Sequence, residues 1–288
     1  MAHDIAAVVD LARYPVDRAD SDEWRELVAQ CRSRLASDGM YELPGFVQAD
    51  ALDAIVAAAL PMLDTESFEL RRRHNIYFLD HVDELAPDHP ALTQVETVNH
   101  TLCGDQLGGS ALMALYEWPP FRAFVAATIG APELHLMDDP LARVNVISYR
   151  PGEALNWHFD RSDFTITLLL QGAAAGGVFE YRSNLRSNDD PNYDGVGRML
   201  TGNDPAVATV DVRPGALNVF MGRNTAHRVT MVGGDKDRVV AVLSFYDRPG
   251  VRFGDRESIG FYGRTATRDD EKVASSRRTS PLPNDDRM

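Results

Sequence analysis

The sequence predicts a mainly β protein with flanking α-helices, its strands closing into a sandwich or jelly-roll barrel. Two observations carry that expectation. From residue 133 the chain breaks into short apolar strands at regular spacing, punctuated by Pro151-Gly152, Gly176-Gly177, Pro214-Gly215 and Gly233-Gly234. Many short strands between Gly/Pro turns mark closed antiparallel architectures. Before that point helical periodicity dominates, as in "WRELVAQCRSRLASDG" and "DALDAIVAAALPML". A length of 288 residues suits one large domain with elaborations. A content of 44% hydrophobic and 25% charged residues is that of a globular protein with a sizeable core.

In chain order, Asp20 and Glu23 form a capping pair ahead of the first helix, which ends at Gly39. "MYELPGFV" is a short strand closing on a turn, and "DALDAIVAAALPML" is an Ala-rich amphipathic helix. Residues 64–110 are polar, contain "RRRHNIYFLD" and "HVDELAPDHP", and show no clean period; they are expected to form a lid or binding loop. "SALMALYEWPPFRAFVAATIG" returns to helix, interrupted at Pro119-Pro120. Then come the strands "ELHLM", "LARVNVISY", "LNWHF", "FTITLLLQ", "GVFEY", "AVATVDV", "ALNVFMG", "AHRVTMV" and "RVVAVLSFYD". The expected organisation is a helical part with its lid at 1–132, packed on a catalytic core at 133–264. The core carries a polar insertion at 182–205, and 265–288 reads as a disordered tail.

Composition excludes several function classes. No apolar run approaches a membrane span, and "MAHDIAAVVDLARYPVDRAD" lacks the basic start and apolar centre of a secretory signal. Two cysteines, Cys31 and Cys103, argue against a disulfide framework and for a cytoplasmic protein. A formal charge of −14 argues against nucleic-acid and anionic-membrane partners. The expected partner is a small-molecule substrate; a homodimer is compatible with the same observations.

The chemistry starts at "NWHFDRSDFTITLLLQ". Residues two apart on an extended chain point to one face, so His158 and Asp160 project together, while Trp157 and Phe159 turn to the other side. Both polar groups are costly to bury without partners. His227 in "NTAHRVTMV", like that pair, follows a loop and opens an apolar strand. Two histidines and a carboxylate compose the facial triad of non-haem iron(II), with positions left open for substrates. Arg238 begins "RVVAVLSFY" and shares a face with Val240, Val242, Ser244 and Tyr246, so a guanidinium heads an apolar inward row. Such a cation calls for an anion, a carboxylate by preference. Tyr149, brought back by the Pro151-Gly152 turn, lines the same cavity and offers that carboxylate a second donor.

The order Tyr149-x-x-Gly152, His158-x-Asp160, Gly176-Gly177-x-Phe179, His227 and Arg238 resembles the iron(II)/2-oxoglutarate-dependent oxygenases, over roughly residues 133–250. The resemblance implies a double-stranded β-helix core of the jelly-roll, cupin-like kind. It implies iron held by His158, Asp160 and His227, and 2-oxoglutarate held at its distal carboxylate by Arg238 and Tyr149. Where the family usually carries Ser or Thr two residues past the arginine, this chain has Val240, and Ser244 is the candidate replacement. "HFDRSDFTITLLLQ", "DPNYDGV", "RRRHNIYF" and "GFYGR" resemble more closely the bacterial branch that hydroxylates or chlorinates free amino acids. Halogenating members replace the carboxylate ligand by a small residue; Asp160 therefore implies hydroxylation. The reaction so implied couples decarboxylation of 2-oxoglutarate with O2 to hydroxylation of an unactivated C–H bond, with ascorbate helpful in vitro.

Candidate substrate contacts are Arg143 and Asn145, which alternate with Tyr149 on one face of "RVNVISY", together with Arg73, His74 and Asn75 in the lid and Arg161 after the ligand. Asp138 and Asp139 suit a turn better than an ammonium site. Two other classes stay open at this point, a cupin-like binding or isomerase barrel and a zinc hydrolase. Neither accounts for Arg238 and Tyr149. An oxygenase acting on a natural product other than an amino acid is a further alternative.

Overall fold

The computed structural model describes residues 3–267 and 270. Its helices are α1 (Asp22–Asp38), α2 (Ala49–Thr65), α3 (Ala111–Glu117), α4 (Pro119–Ile129), α5 (Tyr193–Leu200) and α6 (Asp255–Tyr262). The strands of the N-terminal part are β1 (Met40–Leu43), β2 (Phe68–His74) and β3 (Val95–Leu102). The remainder begin with β4 (His135–Leu136), β5 (Val144–Tyr149), β6 (Leu155–His158), β7 (Thr165–Gln171), β8 (Ala175–Gly176) and β9 (Phe179–Arg182). They end with β10 (Ala208–Val210), β11 (Leu217–Phe220), β12 (Ala226–Val229), β13 (Val232–Gly233), β14 (Arg238–Leu243) and β15 (Phe245–Tyr246).

A seven-stranded antiparallel sheet runs β1-β11-β7-β14-β5-β3-β2, and a four-stranded one runs β10-β9-β12-β6. Alternation along the strands decides what each face of the large sheet meets. In "TITLLLQ", Ile166, Leu168 and Leu170 enter one apolar core with Val144, Val146, Val239, Ala241 and Leu243. The helices close over that face: α2 contributes Ile55, Ala59 and Leu63 at helical spacing, and α4 contributes Phe121 and Phe124, both fully buried. Each of the isoleucine, leucine and phenylalanine side chains contributes about 1.5–3 kcal/mol by leaving water. The opposite parity carries Tyr149, Arg238 and Thr165, and faces the space between the sheets. Among the described residues no helix is long and apolar enough to cross a membrane.

The expected fold class holds, and two local expectations are corrected. Ser21, not Asp20, caps α1: its hydroxyl accepts from the Trp24 amide, while Asp20 sits in left-handed backbone at φ 67°. Residues 64–110 are not one long lid. "FELRRRH" pairs along its whole length with "VETVNHTL" as β2 and β3, which leaves two connections outside the strands, 75–94 with a short 3-10 helix at Pro90–Leu92, and 103–110. That pairing eludes a search for apolar alternation because β2 is an edge strand with exposed charges, as solvated edges tend to be, and β3 turns polar Thr97, Asn99 and Thr101 to one face. The insertion 182–205 is ordered around α5, whose Val196 and Met199 pack with Ile76 and Ala91 of the 75–94 loop and with Phe159. Trp157 joins that cluster, on the far side from His158 as its parity requires. The tail expected at 265–288 lies, apart from 265–267 and 270, outside the described residues.

Candidate metal centre

Strand pairing builds the centre. His158 ends β6 and His227 lies on β12, and the two are paired directly across the small sheet. Their rings approach to 4.1 Å between centroids. Asp160 follows in the loop after β6, its amide donating to the Gly222 carbonyl at 3.1 Å. Its Oδ1 lies 3.4 Å from His158 Nε2 and its Oδ2 lies 3.5 Å from His227 Nε2. One ligand atom from each of the three residues falls within 4.8 Å of the others.

The backbone sets which nitrogen each imidazole presents. His158 Nδ1 bonds to the Asn156 carbonyl at 2.9 Å, and His227 Nδ1 bonds to the Thr225 carbonyl at 3.0 Å. A carbonyl only accepts, so each Nδ1 carries a proton, and each Nε2 is the nitrogen turned towards Asp160. Carbonyl bonds of this kind orient metal-binding imidazoles. Burial is the main influence pushing His227 down, to about 4, so it is neutral at pH 7. Burial works against the charge on Asp160, but His227, His158 and the Thr165 hydroxyl hold its carboxyl well below the usual carboxylate range. Two imidazole nitrogens and one carboxylate, convergent and at most partly exposed, are a donor set suited to a divalent cation with positions to spare.

Aromatic side chains wall the centre. Phe220 meets the His227 ring edge-on at 4.8 Å, and Phe78 meets the His158 ring edge-on at 6.3 Å. Phe78 is 39% exposed, stacks on His74 at 4.5 Å, and lies under the Arg72 guanidinium at 4.6 Å.

Beside the centre, Arg238 and Tyr149 occupy opposed positions on β14 and β5, both buried. Arg238 Nε donates to the Gly177 carbonyl at 3.0 Å. Gly177 has φ 61°, and a β-carbon there would press within 3.2 Å of the arginine Cδ, so the Gly176-Gly177 turn makes room for the side chain. Among the described residues no carboxylate pairs with this guanidinium, and burial lowers its pKa to about 10. Burial is also the main influence raising the Tyr149 phenol, which feels the charges of both Arg238 and Asp160.

The other candidates are placed less centrally. Ser244 lies six residues beyond Arg238, roughly 20 Å along a strand, and its carbonyl accepts from the Tyr116 hydroxyl at 2.7 Å. It is not brought to Arg238, a correction that follows from strand rise alone. Arg73 is exposed on the sheet edge. His74 is buried, bonded to Thr97 Oγ1 at 2.8 Å. The Asn75 side chain is consumed in shaping its own turn, accepting from Tyr77 and Leu79 amides and donating to the Leu79 carbonyl. Arg143 donates to the Met137 carbonyl and lies 3.8 Å from Glu117, while Asn145 accepts from the Tyr262 hydroxyl. Arg161 is largely exposed and pairs with Glu257. Asp139 makes the expected turn, accepting from the Leu141 amide. Sequence reading missed Phe78, Thr165 and Gly222. A threonine five residues after Asp160 on a strand of inward parity was the one available signal among them.

In sequence, residues 23–251 match the model of the family described as Halogenase D. No curated protein matches the chain. Among solved structures, the fold is similar to that of SnoK, a non-haem alpha-ketoglutarate-dependent carbocyclase of nogalamycin biosynthesis. They are 17% identical, over 85% of this chain and 95% of that one, with a TM-score of 0.55. The epimerase SnoN, solved with Fe3+, alpha-ketoglutarate and a nogalamycin compound, is 18% identical over 77% of this chain and 84% of its own, with a TM-score of 0.53. HygX from Streptomyces hygroscopicus, solved with nickel, 2-oxoglutarate and hygromycin B, is 12% identical over 78% and 89%, with a TM-score of 0.52. At these identities the likeness is one of fold.

Proposed function

We propose that this protein, whose chain belongs to the Halogenase D family, is an iron(II)- and 2-oxoglutarate-dependent oxygenase that hydroxylates a free amino acid or a close derivative. The observation that carries the reading is the pairing of two unmet demands. His158, Asp160 and His227 present three convergent donors, and beside them Arg238 is a buried cation with no carboxylate partner among the described residues. A zinc hydrolase or a cupin-like isomerase would use the first feature and leave the second without a purpose. An enzyme whose cosubstrate is a dicarboxylate uses both.

His158, Asp160 and His227 would hold iron(II), which when loaded with 2-oxoglutarate and oxygen supplies the oxidising power for C–H cleavage. The chain's own residues do the rest. Arg238 binds and orients the distal carboxylate of 2-oxoglutarate through a charge-assisted pair, with Tyr149 as a neutral second donor. Phe78 and Phe220 keep water from the centre and present an apolar wall to the carbon under attack. Arg73 and Arg161 are proposed as surface cations near the mouth, and His74, Arg143 and Asn145 as residues that shape the substrate pocket; Asn75 supports it through the turn it builds.

Family membership leaves hydroxylation and halogenation to be decided. Asp160 supports hydroxylation, because its carboxylate fills the position that a halide ligand would need. The test is an incubation of the protein with iron(II), ascorbate, 2-oxoglutarate and each free amino acid in turn, read by mass spectrometry. A gain of one oxygen with matching succinate is expected for one class of amino acid. A chlorinated product, or no 2-oxoglutarate consumption with any amino acid, would contradict the reading.

A further inference from the structure

We propose that Thr165 and Gly222 form a cradle that holds Asp160 in a one-oxygen binding mode, which makes Thr165 a positioning residue of the metal centre. The inference rests on reading His158, Asp160 and His227 as metal ligands.

Asp160 is the ligand with the least support from its own strand. It lies beyond the end of β6, in a loop tied to the Gly222 carbonyl through its amide. Thr165, by contrast, opens β7 and is registered against Phe220 of β11. Its hydroxyl donates to Asp160 Oδ2. The same register sets the Phe220 ring against His227, so one strand pair places both the support for the carboxylate and the wall behind the second histidine.

Glycine at 222 is what allows this contact. A β-carbon there would stand 2.5 Å from Thr165 Oγ1 and 2.6 Å from Asp160 Oδ2, inside the space that the hydrogen bond occupies. Gly222 and Thr165 therefore belong to one device, since the donor reaches the carboxylate only because the facing residue has no side chain.

The device decides which oxygen a metal receives. A hydroxyl has a single proton to give, and here it goes to Oδ2. Both oxygens lie near a histidine, Oδ1 3.4 Å from His158 Nε2 and Oδ2 3.5 Å from His227 Nε2; the hydroxyl engages Oδ2 and so leaves Oδ1 as the better donor towards the centre. A carboxylate free to offer both oxygens would occupy a position that a bidentate cosubstrate and oxygen need between them. The threonine prevents that without adding a charge. Groups of this kind, one bond removed from the metal, typically change its affinity by roughly 10–100-fold when lost.

The test uses cobalt(II) as the probe, titrated anaerobically into the full chain and followed by calorimetry and by the visible d–d spectrum. Thr165→Val keeps the shape and removes the proton; Thr165→Ser keeps the proton. Thr165→Val is expected to bind cobalt roughly 10–100-fold more weakly than wild type, with an altered spectrum, and Thr165→Ser to restore both. Gly222→Ala leaves the threonine in place but puts a methyl group into its bond, and is expected to weaken cobalt binding in the same sense. Affinity and spectrum unchanged in Thr165→Val or in Gly222→Ala would overturn the cradle while leaving the metal site standing. Cobalt binding absent from wild type, or unaffected by His227→Ala, would overturn the metal site and the cradle with it.

Discussion

Arg238 and Tyr149 stand directly opposite each other on adjacent antiparallel strands, one a buried cation and the other a buried phenol. Neither position is explained by packing alone. A guanidinium removed from water costs several kcal/mol unless an anion offsets it, and the Gly177 carbonyl is its one hydrogen-bond partner among the described residues. Arg238→Met should therefore leave the melting temperature of the ligand-free protein unchanged or raise it. The same substitution should weaken 2-oxoglutarate binding by about 30-fold or more, the equivalent of about 2–5 kcal/mol for a buried carboxylate left unmatched. Thermal melts with and without 2-oxoglutarate measure both effects. A destabilised apo protein with unchanged cosubstrate affinity would assign Arg238 to the fold.

Tyr149→Phe removes one neutral donor and keeps the ring in its cluster with Val232 and Val240. The loss expected is about 0.5–1.5 kcal/mol, a few-fold to about tenfold in 2-oxoglutarate affinity. An effect as large as that of Arg238→Met would mean that the phenol does more than donate.

His158→Ala, Asp160→Ala and His227→Ala should each abolish turnover and the thermal stabilisation given by a divalent metal. A ligand that binds only the folded state stabilises it by about 2.7 kcal/mol at a hundred times its Kd, so the missing shift is measurable apart from activity. Metal-dependent stabilisation persisting at wild-type size in any of the three would remove that residue from the centre.

How much of this was legible in the residues differs from place to place. His158, His227, Arg238 and Tyr149 could be read because strand parity fixes the face of each side chain, and the pairing of β6 with β12 and of β5 with β14 then sets His158 against His227 and Tyr149 against Arg238. Asp160, in the loop after β6, is placed by the hydrogen bond from its amide to the Gly222 carbonyl. The strands of the second half announced themselves by apolar runs between Gly/Pro turns. β2 and β3 did not: their polarity follows from an exposed edge on one strand and a polar inward face on the other. Ser244 shares the parity of Arg238, and parity says nothing about distance along a strand. Phe78 lies in an irregular segment at φ 56°, a conformation uncommon outside glycine that no pattern in "HNIYFLD" encodes. Gly222 was invisible because its role is to be absent from a contact between two other residues.

Asp160→Gly in the presence of chloride probes the reaction outcome. Hydroxylation should fall sharply, because the variant loses the carboxylate that balances the metal's charge. Chlorinated product is expected only in traces, since the position of the substrate carbon also selects the transferred group. Product mass and 2-oxoglutarate consumption, with and without chloride, report the result. Undiminished hydroxylation in the variant would show that Asp160 is not a metal ligand.

The central claim, that one site holds iron(II) and 2-oxoglutarate together, is tested most directly without turnover. Iron(II) is loaded anaerobically, 2-oxoglutarate is titrated in, and the visible charge-transfer band of the chelated keto acid is followed. The account predicts a saturable band in wild type, no band in the His227→Ala protein, and a band reached only at much higher 2-oxoglutarate in Arg238→Met. No band in wild type, or one of equal strength and midpoint in His227→Ala, would contradict it.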